Sequence, residues 1–122
     1  SMVHHPLMTV DEINEKIRQF RDTRDWMQFH RPKDMAMAIS IEASELLEHF
    51  LWKTDEECEQ TVATKKDKIE EEIADIAVYV FELAENLNID LLDAMSRKID
   101  RNGEKYPVEK ARGSHLKYTE LD

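Results

Sequence analysis

Residues 66–87, KDKIEEEIADIAVYVFELAENL, decide the fold. Ile69, Ile73, Ile76, Ala77, Val80, Phe81, Leu83, Ala84 and Leu87 recur three and four positions apart, the period of an α-helix. They cover more than half of the helix circumference, which predicts a helix buried on several sides. Asn88 is placed to end it.

The segment upstream has the same character. Pro32 suits the first turn of a helix, where its missing N–H costs little. Met35, Ala38, Ile39, Ala43, Leu46, Leu47 and Phe50 then make a wide apolar stripe, predicting a helix over 32–53. Thr54 with Glu57 is a capping pattern for a short helix or turn beyond it, and Thr9 with Glu12 is another. After Thr9, the spacing of Val10, Ile13, Ile17 and Phe20 predicts a first helix over 10–23. Downstream, Asp90 can cap a helix carrying Leu91, Leu92, Ala94, Met95 and Ile99 that ends near Asn102–Gly103. Residues beyond Pro107 read as a polar tail.

No alternating strand pattern and no internal repeat stands out. The reading is an all-α, antiparallel helical bundle of about four helices. Residues 8–110 form its domain and residues 111–122 a polar tail, with residues 1–7 left out of the fold. Two of the helices carry more apolar surface than a chain of 122 residues can cover alone, so homo-oligomerisation is expected to complete the core.

Bulk chemistry narrows the function. With 17 basic against 27 acidic residues the net charge is −10, which repels DNA and RNA and argues against a nucleic-acid polymer as partner. A single cysteine, Cys58, excludes an intrachain disulfide and fits a reducing, cytoplasmic setting. No run of about 18 apolar residues is present to span a membrane, so no membrane partner is expected.

Four acids stand where an apolar stripe should be unbroken. Glu42 and Glu45 are three apart in the second helix, between Ile41, Ala43, Leu46 and Leu47; Glu72 and Asp75 are three apart in the third. Residues at i and i+3 share a helix face, so each pair projects two carboxylates one way. Antiparallel packing can bring the pairs together. Such a cluster is costly without a cation, and oxygen-only ligation is what magnesium prefers. A solvated acidic stripe gives the same spacing, and Glu12–Glu15 is such a pair. Di-iron chemistry is disfavoured, because none of the five histidines follows a glutamate by three residues.

The segments 42–45, EASE, and 72–75, EIAD, resemble the E-x-x-E…E-x-x-D signature of the all-α, MazG-like nucleoside triphosphate pyrophosphohydrolases. Residues 24–32, RDWMQFHRP, and 50–53, FLWK, are similar to the dCTP pyrophosphatase branch. Residues 98–107, KIDRNGEKYP, resemble that family's K…N…KYP element. The resemblance covers about residues 10–110. It implies magnesium held by Glu42, Glu45, Glu72 and Asp75, with the family register choosing Glu72 over its neighbour Glu71. It implies a homodimer or homotetramer, and cleavage between the α and β phosphates of dCTP or a 5-modified dCTP, in housecleaning of the nucleotide pool.

A mechanism follows from these residue types as an expectation. Metal-activated water attacks the α-phosphate, with Glu45 as candidate base. Lys98 and Lys105 stabilise pyrophosphate, and Asn102 hydrogen-bonds a phosphate. Surface lysines favoured by the end of a helix dipole would look alike. Trp26, His30 and Trp52 are candidates to stack on the base; Phe29 suits core packing equally. Tyr106 is a candidate substrate contact or an anchor for the tail, and His49 suits a helix surface. The alternative function is a non-catalytic helical module that binds nucleotide or protein. The intact set of four acids favours the enzyme.

Overall fold

The computed structural model describes residues 7–115 and Thr119; His4, His5 and half of the tail lie outside the described residues. Among the described residues there are six α-helices, rather than about four: α1 (Val10–Asp22), α2 (Pro32–Glu48), α3 (Asp55–Thr64), α4 (Lys66–Asn86), α5 (Leu91–Lys105) and α6 (Val108–Ala111). A 3-10 turn, Met27–Phe29, joins α1 to α2. There is no strand among the described residues. The helices fall into two compact units, one ending at Leu87 and the other starting at Asn88.

In the first unit α4 is the hub, packing on α2, α1 and α3. Both ends of the α2–α4 pairing are pinned. His30, just before α2, meets Glu82 late in α4, and His49, just after α2, meets Glu72 early in α4. The two helices therefore run antiparallel. Arg18 and Arg21 tie α1 to α4 through Glu85 and Asn86.

Capping sets the helix starts. Thr9 Oγ1 accepts from Glu12 N at 3.1 Å while Glu12 Oε1 accepts from Thr9 N at 3.3 Å, and Thr54 with Glu57 repeats the arrangement. The second box explains why α2 stops at Glu48 rather than Lys53. Thr54 must be extended to cap α3, at φ −72° and ψ 166°, so the chain leaves the helix earlier and turns with Trp52 at φ 62°. The apolar stripe runs on to Phe50 and hides that break.

In the second unit Asp90 caps α5, its side chain accepting from Asp93 N at 3.1 Å. The helix passes through Gly103 and ends at Lys105, since one glycine late in a helix costs only about 1 kcal/mol. The single turn of α6 follows Pro107, where a tail without regular structure is predicted.

The core is thin. Among the described residues the buried apolar side chains are Met35 and Ala84 alone, whereas Met37, Ile41 and Leu47 of α2 and Ile73 and Val78 of α4 are each more than two-fifths exposed.

Candidate active site

The acids of α2 and α4 face one another. Glu42, Glu45 and Glu72 are half-buried, and Asp75 is exposed at the edge. Burial raises the Glu42 carboxyl above its ordinary range, and hydrogen bonding with the Glu45 side chain, then the charges of Glu45, Asp75 and Glu72, raise it further. Three carboxylates acting on a fourth is what convergence from two helices should produce. Glu42 Oε2 is sealed from solvent with no hydrogen-bond partner. Glu72 Oε2 lies 2.5 Å from His49 Nε2, but off hydrogen-bond geometry, so it too has no hydrogen-bond partner.

Glu71, by contrast, is paired with Lys68 at 3.7 Å, both side chains 69% exposed. The structure thus turns Glu72 inward and Glu71 outward. His49 is not a surface residue: its side chain is 16% exposed and braces Glu72. Its place was readable from spacing, since Glu42, Glu45 and His49 follow one another at three and four residues along one face of α2.

These groups fit a hard divalent cation in kind. The donors are all oxygen, and sealed oxygens without donors are what a cation satisfies. Among the described residues no three His, Cys, Asp or Glu side chains are already drawn into ligand geometry. A bound ion would have to draw them in.

Beside this cluster lies a cavity of about 500 Å³, lined by residues of α1, the connection to α2, and α4. Phe20 and Trp26 meet edge to face at 5.7 Å, Trp26 and His30 lie 6.4 Å apart, and the Arg24 guanidinium sits 3.8 Å over the Phe20 ring. Tyr79 and Glu82 form the α4 wall, and Asp75 belongs to both the cavity and the acidic cluster. Burial, then the charges of Glu42, Asp75, Glu82 and Glu45, push the Tyr79 phenol up, keeping it a neutral donor.

The structure therefore brings Trp26 and His30 of the predicted site together with Asp75. It does not place Trp52 there. The left-handed turn at Trp52 throws its ring outward, 93% exposed and outside the cavity lining. Phe29 is also exposed and outside that lining. Phe20, Tyr79 and Glu82 are additions to the predicted site. A signal for the last two existed: Glu72, Asp75, Tyr79 and Glu82 continue a three-four-three spacing down one face of α4. In the second unit Lys98, Asn102 and Lys105 share one face of α5, and Tyr106 is its C-cap, with its backbone N–H donating to Asn102 O at 2.8 Å.

Residues 37–121 match the MazG-like family. The chain belongs to that family. Mouse dCTP pyrophosphatase 1 is 37% identical over 118 residues, which span 95% of this chain and 69% of the mouse protein. The human protein of the same name matches at the same identity and coverage, and the bovine one is 38% identical over 115 residues, 93% of this chain and 68% of its own. A crystal structure of a pyrophosphatase from Archaeoglobus fulgidus superposes with a TM-score of 0.79 at 38% identity, covering 87% of this chain and 99% of that one. With these relatives the chain shares the class of nucleoside triphosphate pyrophosphohydrolases. Among the described residues no helix is long and apolar enough to cross a membrane.

Proposed function

We propose that this chain hydrolyses dCTP, or a 5-modified dCTP, to the monophosphate and pyrophosphate with magnesium as cofactor, as a cytoplasmic homodimer or homotetramer. The observation that carries the reading is the meeting of four carboxylates from α2 and α4 at the rim of an aromatic cavity.

Glu42, Glu45, Glu72 and Asp75 are the groups that would hold the cation. When bound, magnesium supplies charge neutralisation at the phosphates and lowers the pKa of water. Glu45 takes the proton of the water that attacks the α-phosphorus. His49 positions Glu72 by contact with its Oε2. Trp26 and His30 hold the base in the cavity, where flat rings offer stacking and exclude water. Lys98, Asn102, Lys105 and Tyr106 supply the cations and neutral donors that phosphate oxygens accept from. Trp52 is proposed as a substrate contact that acts from outside the cavity lining. The exposed Met37, Ile41, Leu47 and Ile73 support assembly, since a thin core leaves this surface in water.

Incubation with magnesium and each common deoxynucleoside triphosphate, with pyrophosphate and monophosphate quantified, tests this directly. Equal amounts of the two products, strongest from dCTP and lost on chelation, are expected. Release of orthophosphate instead, or turnover indifferent to chelator, would sink the proposal.

A further inference from the structure

Glu82 is the most buried acid of the cavity wall, 5% exposed, and no step above uses it. Its Oε2 is doubly engaged. His30 Nδ1 lies 2.7 Å away and Asn86 Nδ2 donates to it at 3.2 Å. The imidazole and the amide hold this oxygen from two sides. Asn86 is oriented in turn, because its Oδ1 accepts from Arg21 Nη1 at 3.0 Å. Arg21, Asn86, Glu82 and His30 therefore form a linked network that fixes the carboxylate.

The other oxygen, Oε1, has no hydrogen-bond partner among the described residues, and unlike Glu42 Oε2 it is not sealed off. It belongs to a side chain on the wall that also carries Trp26 and Tyr79. A fixed acceptor with open lone pairs at the side of a stacking cavity welcomes a donor and repels another acceptor. Cytosine presents an amino group where uracil and thymine present a carbonyl oxygen, and glutamate is a natural acceptor for that amine.

We infer that Glu82, held in place by His30 and Asn86, determines base specificity: its Oε1 accepts from the exocyclic amine of the substrate and rejects a base with a carbonyl there. This rests on the reading of the cavity as the base site of a triphosphate hydrolase. Asp75 and the acidic cluster fix the phosphate end, and Glu82, further along the same face of α4, reads the other end.

The test is kcat/KM for dCTP and dUTP with magnesium, in the unmodified protein and in Glu82→Gln. The unmodified protein is expected to favour dCTP by about 100-fold or more, because a site built around a hydrogen bond strongly rejects the wrong partner. Glu82→Gln should shrink that ratio at least about tenfold, losing dCTP and gaining dUTP, since an amide can turn its NH2 towards a carbonyl. Both substrates falling by one common factor would mark Glu82 as merely structural and overturn the inference. Should Glu82→Gln fail to fold, inhibition of the unmodified enzyme by dCMP and dUMP decides: about tenfold tighter dCMP is expected, and equal inhibition overturns the inference. Turnover without base preference defeats this inference and the choice of dCTP, and leaves the triphosphate hydrolase reading standing. Absence of turnover with any triphosphate defeats the reading beneath it as well.

Discussion

A cluster of four carboxylates near the start of α4 and the single carboxylate of Glu82 near its end are kept on opposite terms. Near the start of α4, Glu72 and Asp75 meet Glu42 and Glu45, and sealed oxygens of Glu42 and Glu72 go without hydrogen bonds. Near its end, Glu82 is buried more deeply, yet its Oε2 is held by His30 and Asn86. Glu72 and Glu82 are the same residue type on the same helix. What differs is whether the oxygen is held by hydrogen bonds: Glu72 Oε2 meets His49 off hydrogen-bond geometry, whereas Glu82 Oε2 is held by two partners. A buried polar atom is normally satisfied within the protein, so the cluster is incomplete by itself and Glu82 is finished. The cluster is open to a cation, whereas Glu82 is part of a fixed wall that a ligand must fit.

The comparison breaks most decisively at the acidic end. Glu45→Ala and Asp75→Ala are each expected to lower turnover on the order of 10³-fold, the loss typical of removing a preorganised electrostatic group. Removing either also relieves like-charge repulsion, so the magnesium-free melting temperature should hold or rise. A folded variant with normal pyrophosphate release would remove that residue from the site.

At the finished end the same kind of truncation should do the reverse to stability. Glu82→Ala strips the partner from His30 Nδ1 and Asn86 Nδ2 and leaves both half-buried groups unpaired. A loss of about 3 kcal/mol is expected, read by urea denaturation without metal. Glu42→Gln provides the smaller counterpart of opposite sign. Removing one charge from the crowded set should stabilise the magnesium-free protein by about 1 kcal/mol. The two glutamates would then move stability in opposite directions. Equal destabilisation by both would show that the Glu42 neighbourhood is already satisfied.

How much of this was legible follows the same division. Periodicity alone marked α1, α2, α4 and α5, because long amphipathic faces repeat and few residues interrupt them. The end of α2 was not legible: Phe50 continues the stripe, and only the extended backbone demanded at Thr54 shows where the helix must stop. The acidic quartet was legible as acids out of place in apolar surroundings. Glu82 was equally out of place, and with Glu85 it even repeats the i, i+3 spacing, but Glu85 pairs with Arg18 and only Glu82 belongs to the cavity wall. Its partners His30 and Asn86 come from the connection before α2 and from α4's last turn, and only tertiary packing unites them. Trp52 was attractive by residue type, and the backbone turn that exposes it has no sequence signature.

The smallest expected effect is the dependence of stability on pH, and it separates the cluster from Glu82 without any substitution. The folded protein holds the Glu42 proton above the ordinary value of 4.5, because burial and then Glu45, Asp75 and Glu72 oppose its charge. Between that ordinary value and the folded one, the native state binds more protons than the unfolded chain. Stability from this group must therefore fall as pH rises through the window and level off beyond it. Exposed acids held low by partners, such as Glu57 by the backbone and hydroxyl of Thr54, act in the other direction, their contribution being lost as pH falls. Those groups are the same with and without magnesium, so the difference between the two conditions isolates the acidic quartet. Magnesium binds the ionised carboxylates, and its stabilisation should grow with pH across that window. Urea denaturation at several pH values, with chelator and with saturating magnesium, reads that difference. A gap that stays constant with pH would place the cation elsewhere on the chain.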